Sequence, residues 1–381
     1  MIFNGSGNED AGKKLLLVLS QVPGLGPTRI NTITRHFGYT PSLFQARADD
    51  FARLPGIGRK VADSVAAFFR NPHSLAHAVK KAEQQLKLLE RHNADIITIE
   101  APLYPPLLKE IYDPPPCLFI RGNAGAAHQP CIAVVGTRKA SLYGKKAAEL
   151  ICRGLAAEGF TIVSGLAYGI DMIAHRTTLE HKGRTIAFLA GGVDNPHTDP
   201  SGKLWPRIID EGALLSEEWI GSTISPGKFP RRNRLIAGIS RGTVVVESDL
   251  KGGSLVTAYS ALDQNREVFA VPGSIFSRTS AGTNSLIEKG HAKLVTCVDD
   301  IIAELIPSFS RSDKPAKTIG AAQVTGDEKT VLDHLGPDPI HIDVLAENTS
   351  MDPSELLVLL FELELKRLAE QLPGQMFRKT S

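Results

Sequence analysis

The stretch CIAVVGTRKA, residues 131–140, decides the fold class of the central region. Its apolar run Ile132–Val135 is followed at once by Gly136, Thr137 and Arg138, and a helical pattern begins after them. A short continuous apolar run is typical of a strand that is buried on both faces of a sheet. A glycine at the strand end lets backbone N–H groups approach an anion, and an arginine adds a fork of donors. The stretch therefore predicts a strand, a turn that faces a ligand, and a helix.

The same unit recurs through the rest of the region. Short apolar strand candidates are Ile132–Val135, Thr161–Val163, Thr185–Leu189, Thr243–Val246 and Glu267–Val271. Helical patterns lie between most of them, at Lys145–Glu158, Asp171–Glu180 and Ser254–Asn265. Apolar strands that alternate with amphipathic helices indicate a parallel sheet covered on both faces. Residues 129–306 are therefore predicted to form an α/β domain with a mostly parallel sheet.

Small residues follow the other strand candidates as well. These segments are Ser164–Asp171, Gly191–Asp194, Ser248–Ser254 and Val271–Ser274. Because the carboxyl ends of parallel strands meet at one edge, the turns predict a long groove lined by backbone. Asp171 and His175 are expected to be structural, as a helix cap and a packed histidine. Neither the GxGxxG nor the P-loop spacing is met, so the groove is expected to bind phosphate rather than a dinucleotide or ATP.

A basic stretch, FPRRNRLIAGIS, occupies residues 229–240. Arg231, Arg232 and Arg234 are predicted to lie at the start of a helix over residues 235–240, where the macrodipole disfavours cations by up to about 1 kcal/mol. Three arginines lie at this predicted helix start although the macrodipole disfavours each of them. We interpret their presence as the sign of a site that binds an anion. One arginine is expected to pair with Glu217, Glu218 or Glu247, and the others to face the ligand.

The N-terminal region, residues 1–90, has a helical pattern and contains a near-repeat. VPGLGPTRI at residues 22–30 is echoed by LPGIGRKVA at residues 54–62, and each copy opens a helical stretch. The copies resemble tandem helix-hairpin-helix elements, whose free helix N-terminus can hold a phosphate. The first copy is expected to be structural because Pro27 lacks a donor. For the second copy a structural turn and a secondary DNA contact both stay open, the residues concerned being Gly56, Gly58, Arg59 and Lys60.

Three further segments complete the predicted organisation. The proline-rich residues 91–128 are predicted to be a connector with two short strands, and the polar residues 307–326 to be a linker. Residues 327–381 show three helical patterns and a terminal hairpin, which favours a small winged-helix-like domain. Its third helix carries little basic charge, so we expect it to contact protein rather than DNA.

Composition excludes several function classes. The chain has 381 residues, with a net charge of +2, so any basic surface must be local. The four cysteines form no CxxC pair, which argues against a zinc site or disulfides and for a reducing cytoplasm. The start of the chain shows no signal-peptide pattern, and no apolar run reaches the roughly 18 residues of a membrane span. A cytoplasmic protein without a membrane segment is expected.

No catalytic constellation stands out. The eleven histidines show no HxH spacing, and their one HxxxH pair, His73 and His77, does not by itself make a metal site. The run GISRG at residues 238–242 lies between a predicted helix and a strand, which is the reverse of the strand-turn-helix order of a nucleophile elbow. Glu217 and Glu218 are adjacent, so their side chains diverge. The sequence therefore predicts a binding protein without a metal or cofactor, rather than an enzyme.

The motifs together resemble the DNA-processing protein A (DprA/Smf) family, in order, over roughly residues 100–305. They are GTR at 136–138, SGLAYGID at 164–171, GGVD at 191–194, FPRRNR at 229–234, GSLVTA at 253–258, VPG at 271–273 and GTN at 282–284. The resemblance implies an extended Rossmann-like fold with an N-terminal SAM-like or helix-hairpin-helix domain and a C-terminal winged-helix-like domain. It also implies a homodimer that binds and protects single-stranded DNA without sequence preference. Such a protein would help to load the RecA recombinase in DNA uptake, natural transformation and recombination.

Carried over by position, the resemblance implies a set of residues that bind the phosphates of single-stranded DNA. The set is Gly136, Thr137, Arg138, Ser164, Gly165, Lys228, Phe229, Arg231, Arg232, Asn233, Arg234, Lys251, Gly253, Ser254 and Thr257. Phe229 is expected either to pack on a base or to anchor its loop. The chain departs from the family pattern in two places. The loop 195–200 lacks the Tyr-Pro…Asn pattern of the family, so no role is carried over to it. At residue 252 a glycine stands where the family has a serine, which removes one hydroxyl from the groove.

Two alternatives belong to other classes. A Rossmann-like nucleotide-processing hydrolase of the LOG or lysine-decarboxylase-like type would carry a Pro-Gly-Gly-x-Gly-Thr motif followed by a glutamate, and this chain does not. A structural scaffold with an empty groove would have no use for the arginine cluster.

Overall fold

The computed structural model describes residues 8–40, 42–196, 198–199, 201–306, 326–365 and 368–380. These residues form two compact units, separated by residues 307–325. Except for residue 326, the predicted linker 307–326 lies outside the described residues. None of the described helices is both long enough and apolar enough to cross a bilayer.

The first unit begins with a helical region built around two glycine hairpins. Its helices are α1 (Asn8–Leu19), α2 (Pro27–Phe37), α3 (Ser42–Gln45), α4 (Ala48–Ala52), α5 (Arg59–Arg70) and α6 (Pro72–Arg91). Pro27 opens α2, where its missing N–H costs nothing. The guanidinium of Arg29 donates to the carbonyls of Gly24 at 2.7 Å and Gly56 at 3.1 Å, which ties the two hairpins together. The predicted helix-hairpin-helix region is confirmed.

A nine-stranded sheet forms the rest of this unit. Its strands are β1 (Asp95–Thr98), β2 (Cys117–Gly122), β3 (Cys131–Val135), β4 (Thr161–Ser164), β5 (Thr185–Phe188), β6 (Ala213–Ser216), β7 (Gly242–Val245), β8 (Glu267–Ala270) and β9 (Lys293–Leu294). The spatial order is β1-β2-β6-β5-β4-β3-β7-β8-β9, and only the β1–β2 and β2–β6 pairs are antiparallel. The mostly parallel sheet is confirmed. The sequence prediction missed β6 and β9, and it left open which sheet the strands of the connector join.

Helices cover both faces of this sheet. They are α7 (Pro106–Lys109), α8 (Leu142–Ala157), α9 (Ile170–Glu180), α10 (Trp205–Glu211), α11 (Lys228–Ile239), α12 (Gly253–Asp263), α13 (Ala281–Glu288) and α14 (Val298–Leu305). Alternate residues of β3 enter opposite cores: Val135 packs with α11 and α12, and Val134 packs with α8 and α9. This alternation follows from the period of two in a strand, and it explains why both strand faces are apolar in sequence.

The helix α11 begins earlier than predicted. It starts at Lys228, so that Pro230 lies inside its first turn and all three arginines are helical. A proline is tolerated there because the first N–H groups of a helix have no intrahelical acceptor.

The second unit has the predicted winged-helix arrangement. Its elements are α15 (Gly326–His334), β10 (Ile340–His341), α16 (Ile342–Thr349), α17 (Pro353–Leu365), β11 (Ala369–Leu372) and β12 (Met376–Lys379). The helix α17 exposes three large apolar side chains, with Leu357, Val358 and Phe361 exposed by 46%, 59% and 61%. The stretch assigned to α17 contains no lysine or arginine.

Candidate nucleic-acid interface

A cavity of about 400 Å³ opens at the carboxyl ends of β3 and β7, and we call it the strand-end cavity. The strand order changes direction here, because β3 has β4 on one side and β7 on the other. Open α/β sheets bind ligands at such a switch point. The predicted site residues that line it are Gly136, Thr137, Arg138, Phe229, Arg232, Asn233, Gly253, Ser254 and Thr257. The geometry therefore brings together residues that lie more than 100 positions apart in the chain.

Six predicted site residues do not line the cavity: Ser164, Gly165, Lys228, Arg231, Arg234 and Lys251. The lining also includes Val135, Ala167, Asp171, Asp249 and Gly252, which belong to the predicted strand ends and turns, and two residues that sequence reasoning missed, Lys139 and Ile236. Lys139 directly follows Arg138, and this adjacency was the available signal. The turns after β5 and β8 do not line the cavity, so it is shorter than the groove predicted from all the strand ends.

Close packing of two turns shapes the wall of the cavity. A side chain at Gly136 would collide with Ile170, and one at Gly169 would collide with the carbonyl of Thr137. Gly169 also has a φ of 82°, which disfavours any other residue. The backbone N–H of Thr137 donates to the carbonyl of Glu247 at 2.8 Å. Glycine is therefore required here so that the backbones after β3, β4 and β7 can touch.

The buried carboxylate of Glu247 holds these turns in place. It accepts from the backbone N–H of Ser141 at 2.9 Å, from the Ser141 hydroxyl at 2.6 Å and from the Thr279 hydroxyl at 2.9 Å. Glu247 was one of the carboxylates expected to pair with an arginine. The structure instead gives it the role of joining the loops that follow β3, β7 and β8.

Arg232 is buried beneath the cavity. Its Nη1 donates to the carbonyls of Phe188 at 2.5 Å and Gly165 at 2.6 Å, and its Nε donates to Oδ1 of Asn233 at 3.1 Å. Burial lowers the pKa of Arg232 to about 10, and Asp171 opposes this shift, so the guanidinium is charged at neutral pH. A Cβ at Gly165 would collide with that guanidinium. Arg232 therefore fastens the ends of β4 and β5 together.

Arg234 is also engaged by the protein. Its side chain is 13% exposed, and its guanidinium pairs with Glu217 and donates to the carbonyl of Asp113 at 2.8 Å. The expectation that one of the three arginines is structural must be corrected, because both Arg232 and Arg234 are held by protein groups. The physical reason is that all three lie within α11, where helical spacing separates neighbours by about 100°.

The other two cationic side chains of α11, Lys228 and Arg231, differ in how tightly the protein holds them. The ammonium of Lys228 contacts Glu218 at 2.8 Å, Ser222 at 2.6 Å and Thr223 at 2.7 Å, which uses its three donors. Arg231 is 58% exposed, and the nearest carboxylate oxygen, of Glu218, is 3.9 Å away. Arg231 is therefore the most exposed and least tightly held arginine of α11, although it does not line the cavity.

The guanidinium of Arg138 lies at the cavity, against the aromatic ring of Phe229. Its exposed guanidinium lies 5.2 Å from the ring centroid of Phe229, and the guanidinium of Arg232 lies 5.9 Å from the same centroid. Contacts of this kind attract a cation to the ring face. Within the described ranges no carboxylate lies at ion-pair distance from Arg138. Phe229 thus contacts two guanidinium groups, while the two roles foreseen for it, packing on a base or anchoring its loop, stay predictions.

The N-terminus of α12 supplies neutral donors. Its N-cap is Gly252, and within the described part of the chain no side chain caps this helix end. The first N–H groups of such a helix have no intrahelical acceptor and favour an anion. Asn233 donates to the carbonyl of Gly253 at 3.3 Å and so positions this turn. Asp249, an acidic group of the lining, pairs with Arg278 at 3.0 Å. The cavity therefore suits an anion.

Of the residues predicted at the other positions, Ser164 and Arg59 make internal contacts and the lysines Lys60 and Lys251 are exposed. The hydroxyl of Ser164 is buried and donates to the carbonyl of Val134 at 2.7 Å. Lys251 is exposed outside the lining. In the second hairpin, Gly56 has a φ of 75° and Gly58 precedes α5. Arg59 pairs with Asp49 and Asp63, while Lys60 is exposed. This hairpin therefore offers less free charge than its sequence indicates.

Asp171 and His175 both make contacts within the protein, but Asp171 does not cap α9 as predicted, since the N-cap is Gly169 and no side chain caps that helix end in the described residues. The Asp171 carboxylate accepts from the N–H groups of Gly165 at 3.1 Å and Ala167 at 3.3 Å. The imidazole of His175 is fully buried, with its Nδ1 2.7 Å from the hydroxyl of Thr185. Burial, with a smaller contribution from Arg232, lowers the pKa of His175 to about 3.

Acid is expected to destabilise the sheet domain through His175. The folded pKa lies below the unfolded value of about 6.5, so the unfolded state binds the extra proton, and stability is lost as the pH falls below that value. At pH 5 the loss relative to pH 7 should be about 2 kcal/mol. Urea unfolding of the wild type and of His175→Asn between pH 5 and 7.5 measures this loss of unfolding free energy. Only the wild type should show the loss that comes from protonation of His175. The same slope in both proteins would contradict the assignment.

Comparisons with known proteins agree with this architecture. Residues 95–306 match the family model of DNA recombination-mediator protein A, residues 315–375 match a DprA winged helix domain, and residues 14–77 match a helix-hairpin-helix motif. Protein Smf of Escherichia coli is 38% identical over 307 residues, covering 77% of this chain and 80% of that protein.

Two solved structures are also similar. DNA processing protein A of Streptococcus pneumoniae superposes with a TM-score of 0.64 and 33% identity, covering 77% of this chain and 97% of that one. The protein of the same name from Helicobacter pylori, described for its single-stranded DNA binding mode, gives a TM-score of 0.51 and 30% identity. That match covers 57% of this chain and 98% of the other. With the first family match spanning more than half of the residues, this chain belongs to the DNA-processing protein A (DprA/Smf) family of DNA-binding proteins.

Proposed function

We propose that this protein binds single-stranded DNA without sequence preference, with phosphates of the strand in the strand-end cavity. The observation that carries the proposal is the pairing of an uncapped helix N-terminus with the exposed guanidinium of Arg138 across one recess. Both are donors that suit a phosphate. The Helicobacter pylori relative, described for its single-stranded DNA binding mode, supports the choice of ligand.

The nature of the lining supports the lack of sequence preference. Backbone N–H groups and guanidinium groups that contact phosphates fix the position of a strand but do not read its bases. A flexible single strand can bend its backbone into a recess of about 400 Å³. A duplex is stiff over tens of base pairs, so bending it into the same recess would cost free energy. We therefore expect a preference for the single strand.

We further propose that the protein protects the bound strand and helps to load the RecA recombinase during DNA uptake and recombination. In this proposal it acts in the cytoplasm, as a homodimer and by binding rather than by turnover. The support is membership of a family described as recombination mediators. RecA filament assembly on DNA coated with single-strand-binding protein tests the loading role, and light scattering of the free protein tests the dimer.

The second glycine hairpin and the winged-helix unit are weaker candidates for DNA contact. In the hairpin, Arg59 is held by two carboxylates, so Lys60 is its main exposed cation. In the winged-helix unit, α17 exposes apolar side chains and carries no lysine or arginine within its bounds. We propose that α17 contacts protein.

The decisive test is fluorescence anisotropy with labelled oligo-dT, a mixed-sequence single strand and a matched duplex. Similar affinity for both single strands, weaker duplex binding and a log K that falls linearly with log salt are the expected results. Equal affinity for the duplex would overturn the proposal. Incubation of the protein with nucleoside monophosphates distinguishes the proposed binding function from a nucleotide hydrolase. A hydrolase would release free base, and we expect none.

A further inference from the structure

Two apolar side chains form the tip of the loop after β8. Ile275 and Phe276 are 84% and 92% exposed, and they are adjacent in sequence. A single exposed apolar residue needs no explanation, but two adjacent large ones on an ordered loop concentrate apolar surface in one place. The loop runs from Val271 to a 3-10 turn at Arg278–Ser280.

Hydrogen bonds hold both sides of this loop. The side-chain amide of Asn284 accepts from the N–H of Gly273 at 3.2 Å and donates to its carbonyl at 3.0 Å. On the other side, Thr279 donates to Glu247 at 2.9 Å. The hydroxyl of Tyr143 donates to the carbonyl of Pro272 at 2.5 Å. Because the base of the loop is fixed, the tip is presented to solvent instead of folding back onto the protein.

The loop is attached to the wall of the strand-end cavity. Arg278 pairs at 3.0 Å with Asp249, which lines the cavity, and the N–H of Ser248 donates to the carbonyl of Thr279 at 2.7 Å. Tyr143 lies in the first turn of α8, the helix that follows the Arg138 turn. The base of the loop that carries the tip therefore lies beside the turns that hold the proposed phosphate site.

We propose that Phe276, with Ile275 beside it, is a stacking platform for the bases of the strand whose phosphates occupy the cavity. The inference rests on the proposed function. Sites for single strands combine a positive groove with aromatic rings on which bases stack. Phe229 is already in contact with two guanidinium groups. Phe276 is more exposed than Tyr143 at 50% and Tyr168 at 51%, the other aromatic residues on these turns.

Removal of the Phe276 ring should weaken DNA binding only when the strand carries bases. We expect Phe276→Ala to weaken binding of oligo-dT about tenfold, in line with the usual contribution of one stacked base. Binding of an abasic deoxyribose-phosphate oligomer of the same length should be unchanged. Phe276→Trp should bind oligo-dT as the wild type does, and its added fluorescence should be quenched by oligo-dT but not by the abasic oligomer. Phe361→Ala, which removes an exposed phenylalanine of the other unit, is the matched control.

The outcomes separate the two proposals. If the wild type binds neither oligomer, the proposed function fails. If the wild type binds oligo-dT and Phe276→Ala binds it equally well, the platform fails while the proposed function stands. An equal loss for oligo-dT and the abasic oligomer would assign the loop to the backbone and overturn the platform. Unfolding midpoints in urea verify that the exposed substitutions leave the fold intact.

Discussion

Replacement of Arg232 by methionine should lower the free energy of unfolding of the sheet domain by about 3–5 kcal/mol. The side chain is 7% exposed, and its guanidinium satisfies the carbonyls of Gly165 and Phe188. Methionine would leave both carbonyls unpaired and Asp171 without the positive charge that favours its ionised form. An uncompensated buried charge and unpaired acceptors are among the most destabilising changes in a folded protein.

The neighbouring arginine provides the matched control. Arg231→Met also removes a guanidinium from α11, but this side chain is 58% exposed. The free energy of unfolding should therefore change by no more than about 0.5 kcal/mol. Urea unfolding followed by far-UV circular dichroism compares the two variants. Arg232→Lys should also be destabilising, because an ammonium cannot reproduce the planar fork. Equal unfolding free energies for Arg231→Met and Arg232→Met would show that Arg232 is not structural.

The second large effect concerns DNA affinity. Arg138→Ala should weaken the binding of oligo-dT by about 10-fold to 150-fold, the range expected for one hydrogen-bonded contact to a charged group. Its unfolding free energy should change little, because the side chain is exposed. Loss of one phosphate contact should also reduce the slope of log K against log salt by about 0.7. The loss should be similar for all base compositions, since a phosphate contact carries no sequence information.

Anisotropy titrations between 50 and 200 mM salt measure both quantities. Arg153→Ala is a suitable control, since Arg153 is also exposed on this domain but lies near the C-terminal end of α8. Arg138→Lys keeps the charge but loses the fork, so it should bind with intermediate affinity. An unchanged salt slope in Arg138→Ala would remove this residue from the proposed phosphate site.

The sequence by itself determined the class of the fold and the edge of the sheet where the site lies. Continuous apolar runs such as Ile132–Val135, repeated between helical patterns, are typical of strands that are covered on both faces. Glycine-rich turns such as Gly136–Arg138 follow those strands, and the carboxyl ends of parallel strands share an edge. These are local patterns, readable without knowledge of distant contacts. The strand β6, Ala213–Ser216, was missed because no glycine-rich turn follows it, whereas strands of the same length that precede such turns were found.

Only the tertiary structure decided what each arginine does. Arg232 is structural because β4 and β5 bring the carbonyls of Gly165 and Phe188 to it, and Arg234 because Asp113 lies beside it from 121 residues away. Arg138 is available because no described carboxylate comes near it. Hydrogen bonding and burial depend on which distant segments meet, and the order of strands in the sheet sets this. A run of arginines in the sequence therefore reveals a concentration of positive charge. Which of those arginines hold the fold together, and which are available to a ligand, depends on the tertiary structure.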